Sequence, residues 1–181
     1  MKLIEKVFDA IYVIQPQVFE DHRGYFFESF SYEKLEGIGL NARFVQDNES
    51  LSSQKGVLRG LHFQNEPYAQ GKLIRVIKGA VLDVAVDIRK NSKYYGQHFA
   101  IELNEEEKKM LYIPPGFAHG FVTLRDNTIF NYKCTNYYHK PSEDGILWND
   151  PDLNIDWNVE NPILSEKDNL NQRFKDFARL F

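Results

Sequence analysis

The feature that most constrains this chain is a succession of short β-type runs broken by Gly, Pro, Asn and Asp, without the alternating long helices of a parallel α/β sheet. The clearest is Lys72 to Arg89, where Gly79 separates two strand-like halves and predicts two strands joined by a tight turn. In the second half Ala80, Leu82, Val84, Val86 and Ile88 take one face with period two, and Asp83, Asp87 and Arg89 take the other. Further strands are expected at Gly24 to Phe30, Val57 to Phe63, His98 to Leu103, Met110 to Ile113, Gly120 to Leu124 and Thr128 to Thr135. The pattern predicts an all-β protein, an antiparallel barrel or sandwich with the strand density of a jelly roll.

Helical signals are few. Ser31 to Leu40 predicts one short helix, Asn104 to Lys108 a single turn, and the segment from Ser165 a C-terminal helix. In the last, Leu170, Phe174, Phe177 and Phe181 recur at helical spacing and form a stripe that would dock on the barrel. No linker, repeat or low-complexity stretch interrupts the 181 residues, so one domain over 1–181 is expected, and 43% hydrophobic residues suffice for its core.

Charge and cysteine content narrow the setting. With 22 Lys+Arg against 26 Asp+Glu, a formal charge of -4 gives no general affinity for nucleic acid or an anionic membrane. An anionic ligand has to be met by a few placed cations. The single cysteine, Cys134, excludes an intrachain disulfide framework, the first ten residues lack the apolar run of a signal segment, and no run approaches the roughly 18 apolar residues of a membrane span. A cytosolic location is the expected default.

The turn Pro115-Gly116-Phe117-Ala118-His119 is of a kind that often holds a metal in β-barrels, but the partner cluster is missing. Where it would stand, Leu61-His62-Phe63-Gln64 supplies one imidazole and then an amide, a poor donor set for a transition metal, so no metal is expected. Strict alternation puts Arg59 and His62 on opposite faces of their strand. Both reach one cavity only if the strand bulges, and Gly60 is where a bulge would be tolerated. Tyr132 shares a face with Phe130 and Cys134 and reads equally as a core aromatic; Tyr138 is either a stacking platform or a solvent-facing side chain. Asp168 ends Ser165-Glu166-Lys167-Asp168, which matches a helix-capping box.

Taken in order, several blocks closely resemble the dTDP-4-dehydrorhamnose 3,5-epimerase family. They include Asp21-His22-Arg23-Gly24-Tyr25-Phe26-Phe27-Glu28-Ser29, Phe44-Val45-Gln46-Asp47-Asn48, Leu58-Arg59-Gly60-Leu61-His62, Gly116-Phe117-Ala118-His119-Gly120-Phe121, Gly145-Ile146-Leu147-Trp148-Asn149-Asp150 and Leu164-Ser165-Glu166-Lys167-Asp168. They run through nearly the whole chain. The resemblance implies a cupin jelly roll, a homodimer, no cofactor and no metal, and conversion of dTDP-4-dehydro-6-deoxy-D-glucose to dTDP-4-dehydro-L-rhamnose. It implies that His62 is the proton acceptor, Tyr132 the proton donor, and Asp168 the carboxylate paired with His62. It further implies substrate contacts from Arg23, Glu28, Gln46, Asp47, Asn48, Arg59, Lys72, His119, Glu143 and Lys167, with Tyr138 stacked on the thymine.

Such a reaction needs these residue types. A ketone at C4 acidifies the hydrogens on C3 and C5, so a base forms an enolate and an acid on the opposite face returns the proton. Lys72 is then the expected stabiliser of the enolate oxygen, and Arg23 and Arg59 are expected at the diphosphate. His119 is left with two roles, a phosphate contact or a support for the base. Relatives that epimerise C3 or C5 alone, or isomerise another nucleotide ketosugar, can retain the same histidine and tyrosine and are the nearest alternative. A cupin that only binds nucleotide sugars is the remaining alternative of a different class.

Overall fold

The fold was taken from a computed structural model, which describes residues 1–177 and 181. In chain order its elements are β1 (Lys2–Val7), β2 (Ile11–Gln15), β3 (Val18–Asp21), β4 (Gly24–Phe27), α1 (Tyr32–Glu36), β5 (Gln46–Ser52) and β6 (Leu58–Gln64). They continue as β7 (Lys72–Lys78), β8 (Ala80–Asp87), β9 (His98–Asn104), β10 (Met110–Ile113), β11 (Phe117–Thr123), β12 (Thr128–Cys134) and β13 (Glu143–Gly145). One sheet has the order β1-β2-β10-β7-β12-β5, the other β13-β6-β11-β8-β9, and β3 pairs with β4 as a separate ribbon. The chain passes repeatedly from sheet to sheet, and the result is an antiparallel jelly roll, as the strand pattern led us to expect.

The Lys72 to Arg89 run departs from expectation in an instructive way. Its halves are strands, but β7 pairs with β10 and β12 while β8 pairs with β11 and β9, so Gly79 is a corner between sheets and not a hairpin turn. Gly79 has φ +82°, and a Cβ there would lie 2.4 Å from Thr128 Oγ1, so only glycine makes this corner. Every residue of β8 is buried. Its even face packs against the tail of the chain, whereas Asp83 and Asp87 on the odd face turn into the barrel.

Apolar residues are layered accordingly. Between the sheets Ile11, Ile74, Val76 and Phe130 meet Val81, Ala85 and Phe121. On the outside of the five-stranded sheet Leu58, Leu61, Val84 and Val122 are covered by Ile146, Leu153 and Trp157. On the outside of the six-stranded sheet Leu73 and Met110 are covered by Leu35 and Leu40, and Leu35 is the buried residue of α1. Each such aliphatic side chain is worth about 1.5–3 kcal/mol when fully buried.

One helical expectation fails, and another is met only by a non-helical turn. At Asn104 to Lys108 the chain makes a turn closed by Asn104 Oδ1, which accepts from Glu107 N–H at 2.8 Å. Beyond Ser165 the expected C-terminal helix is replaced by two 3-10 turns, Asp168–Leu170 and Phe174–Asp176. Its backbone is committed elsewhere: Leu147 N–H donates to Gln172 O at 2.8 Å, and Phe174 N–H donates to the buried Asp150 at 2.7 Å. Phe174, Phe177 and Phe181 do dock on the barrel, but Leu170 is 82% exposed. Residues 178–180 of the expected helix lie outside those described. Strands β1, β2, β3, β5 and β13 were not expected.

Candidate active site

The site begins with an irregularity in β6. His62 lies opposite His119 of β11, but Arg59 lies opposite Phe121, so three steps on β6 match two on β11. Gly60, φ +123°, sits in this bulge, where an added Cβ would come within 2.5 Å of Gly120 Cα and 2.7 Å of His119 O. The bulge turns Arg59 and His62 into one cavity of about 580 Å³. This is the arrangement that the sequence required of Gly60.

His62 meets Asp168 there. The His62 Nε2 to Asp168 Oδ1 distance is 2.6 Å, and Ser165 Oγ donates to Asp168 Oδ2 at 2.7 Å. Asp168 N–H in turn donates to Ser165 Oγ at 3.2 Å. Thus the capping signal is half realised: the serine caps, while the carboxylate serves the imidazole. Burial pushes Asp168 up, but hydrogen bonds from His62 and Ser165 more than offset it and hold the carboxyl below the usual range. With Asp168 accepting from Nε2–H, the lone pair of His62 is on Nδ1, which has no partner among the described residues.

Lys72 at the start of β7 and Tyr132 on β12 form the facing wall, with the ammonium 5.7 Å from the centre of the phenol ring. Burial lowers Lys72, partly countered by the charges of Cys134, Asp83 and Glu143. Burial raises Tyr132, so its hydroxyl holds its proton well into the alkaline range. Phe121 and Phe130, stacked at 3.9 Å, complete the apolar side of the cavity.

A smaller adjoining space of about 110 Å³ shares His62, Lys72, His119 and Tyr132 and opens between Tyr138 and Glu143. Tyr138 is 54% exposed and donates to Glu143 at 2.8 Å, and Lys167 pairs with the same carboxylate at 2.5 Å. Burial raises Glu143, but Lys167 and Tyr138 bring it below its ordinary value. Tyr138 is therefore a half-open platform at the rim.

The remaining expected residues divide. Asn48 lines the larger cavity, and Gln46 Oε1 accepts from Tyr138 N–H at 3.0 Å, tying β5 to the rim. Asp47 instead pairs with Lys133 at 2.6 Å beside the rings of Phe30 and Phe44. Arg23 pairs with Asp21 on the β3–β4 ribbon, Glu28 pairs with Lys34, and neither lines the cavity. Asp83 and Ser165 were missed. Asp83 was visible only as a polar residue on an alternating strand, and it stands beside His119 as Asp168 stands beside His62. Among the described residues no group of three or more His, Cys, Asp or Glu is arranged to hold a metal ion.

Comparison with known proteins places this geometry. Residues 5–176 match the family model for dTDP-4-dehydrorhamnose 3,5-epimerase. The chain is 51% identical over 177 residues to dTDP-4-dehydrorhamnose 3,5-epimerase of Shigella flexneri, covering 97% of each chain. It is similar to the crystal structure of the Bacillus anthracis dTDP-4-dehydrorhamnose 3,5-epimerase with TDP and PPi bound, with a TM-score of 0.94, 45% identity, and coverage of 95% of this chain and 98% of that one. It is likewise similar to dTDP-6-deoxy-D-glucose-3,5-epimerase of Legionella pneumophila in complex with dTDP-4-keto-L-rhamnose, with a TM-score of 0.92, 45% identity, and coverage of 98% and 94%. By the family model, by relatives matched over nearly the full length and by fold, this chain belongs to the dTDP-4-dehydrorhamnose 3,5-epimerase family.

Proposed function

We propose that the cavity converts dTDP-4-dehydro-6-deoxy-D-glucose to dTDP-4-dehydro-L-rhamnose by inverting C3 and C5, an isomerase reaction in dTDP-rhamnose biosynthesis. The observation that carries this reading is the pair His62–Asp168 facing Lys72 and Tyr132 across one cavity. His62 Nδ1 removes the hydrogen beside the C4 ketone, and Asp168 steadies the imidazolium that forms. The electrons of the broken C–H bond move to the C4 oxygen, where the Lys72 ammonium meets the developing charge. Tyr132 delivers a proton to the opposite face of the carbon.

Arg59 suits the diphosphate as a bidentate donor at the cavity wall, and Tyr138, Glu143 and Lys167 suit the thymidine end at the rim. The other contacts are proposed to come from a second copy of the chain. Phe19, Tyr25 and Phe26 are 55%, 56% and 67% exposed on the β3–β4 ribbon, a large apolar surface for one small element. β5 is a sheet edge with a single neighbour. A homodimer that covers both would let Arg23 and Glu28, which do not line their own cavity, serve the partner's. We place this dimer in the cytosol, consistent with a lone, buried Cys134; among the described residues no helix is long and apolar enough to cross a membrane.

A coupled assay tests the reading. The chain is mixed with dTDP-4-dehydro-6-deoxyglucose, a 4-ketoreductase that acts on the L-sugar, and NADPH. Appearance of dTDP-L-rhamnose is expected, and its absence with an active reductase contradicts the proposal.

A further inference from the structure

The cavity holds a second imidazole–carboxylate pair for which the proposed proton transfers have no use. His119 Nε2 stands 3.0 Å from each carboxylate oxygen of Asp83, and Asp83 is wholly buried. The geometry follows from strand register: His119 is opposite Ala85 on β8, and Asp83 is the next residue on that face. The imidazole ring lies nearly parallel to Phe130, at 19° and 6.3 Å between ring centres. A carboxylate this buried needs a donor, and Nε2–H is the side-chain donor it has among the described residues.

That bond fixes the tautomer. With hydrogen on Nε2, the lone pair is on Nδ1, which has no partner among the described residues, while the residue lines the cavity with 6% exposure. Burial disfavours the imidazolium, the charges of Lys72 and His62 add to that, and Asp83 only partly opposes it, so His119 is held below its ordinary pKa. The ring is therefore held neutral with its imidazolium disfavoured, which makes it a weaker base than an ordinary imidazole. It offers the cavity a single acceptor.

An acceptor discriminates among the groups of a nucleotide-linked ketosugar. Diphosphate oxygens and the C4 carbonyl oxygen have no proton to give, so a lone pair repels them. A sugar of this class joined through C1, with a ketone at C4 and a methyl at C6, has hydroxyl donors only at C2 and C3. We infer that Asp83 is a positioning residue that locks His119 as a neutral hydrogen-bond acceptor for a C2 or C3 hydroxyl of the sugar, which makes the pair a specificity element. This rests on the reading of the cavity as a ketosugar site. It also resolves the two roles that sequence leaves for His119, in favour of neither.

The test uses the whole chain, with deuterium exchange at C5 as the readout, because both 2-deoxy and 3-deoxy analogues keep that position. The wild type is expected to prefer the parent substrate to one of the two analogues by roughly ten- to hundredfold, the size of one buried acceptor left unpaired. Asp83→Asn keeps the volume but can turn its amide to donate to Nε2, which moves the imidazole proton to Nδ1. In this variant the preference should shrink to about threefold or less, with binding of dTDP, which lacks the sugar, unchanged by calorimetry. Independently, ¹⁵N NMR of the wild-type ring, assigned by its loss in His119→Gln, should show Nδ1 unprotonated near neutral pH. Equal discrimination in wild type and Asp83→Asn, or a protonated Nδ1 in the wild type, overturns the inference. A wild type that exchanges no deuterium with the parent substrate refutes the epimerase reading instead, and the NMR result stands apart from it.

Discussion

At the scale of single residues, the site depends on what each polar side chain is bonded to. His62→Ala is expected to lower deuterium exchange roughly 10²–10⁴-fold while dTDP binding, measured by calorimetry, stays within about twofold; unchanged exchange would remove His62 from the role of base. The opposed shifts of Lys72 and Tyr132 give a sign for the alkaline side of the pH profile. Burial lowers Lys72 from its ordinary 10.5 and raises Tyr132 from its ordinary 10.0, and both shifts favour loss of the ammonium before the phenol proton as pH rises. The residual activity of Tyr132→Phe should therefore keep an alkaline fall in kcat/KM, and that of Lys72→Gln should lack it. The reverse result contradicts the assignment of Lys72 to the enolate oxygen. These roles were legible to unequal degrees. His62 stood out as a lone imidazole among core residues, but Asp83 did not, because a period-two pattern cannot tell a polar face in water from one turned into a barrel. Asp168 carried a capping signal that was true in part and concealed its bond to His62.

At the scale of elements, the bulge in β6 and the strap that carries Asp168 decide whether the site assembles. Gly60→Ala combines a left-handed φ with a Cβ overlapping Gly120 and His119, and should destabilise by more than about 2 kcal/mol in denaturant titration with loss of turnover. Gly39→Ala has the same sign of φ, +82°, with nothing within 4 Å of the added Cβ, and should cost only about 1 kcal/mol with activity retained. Equal effects would mean that the close approach at Gly60 is not what sets the site. The bulge could be anticipated because Arg59 and His62 needed it. The strap could not: Leu170, Phe174 and Phe177 are spaced for a helix, yet Gln172 and Asp150 draw the backbone into bonds with distant partners. Long-range pairing overrode local periodicity there, as it did at Gly79, where a strand pair became a corner.

At the scale of the whole molecule, β4 and the core strands β6 to β12 were readable while β1, β2, β3, β5 and β13 were not, and sheet order was not readable at all, since order depends on which non-adjacent strands meet. The exposed ribbon and the absence of Arg23 and Glu28 from the lining of their own cavity lead to a complementation test. His62→Ala and Arg23→Ala chains, each inactive alone, should recover about a quarter of wild-type activity when unfolded and refolded together, because half the dimers then hold one complete site. No recovery, with mixed dimers demonstrated, contradicts sharing of Arg23 between subunits.

The central claim is that one cavity inverts two carbons. Proton NMR of dTDP-4-dehydro-6-deoxyglucose incubated with the protein in deuterium oxide tests it most directly. The account predicts deuterium at both C3 and C5, and deuterium at one carbon alone, or at neither, would contradict it.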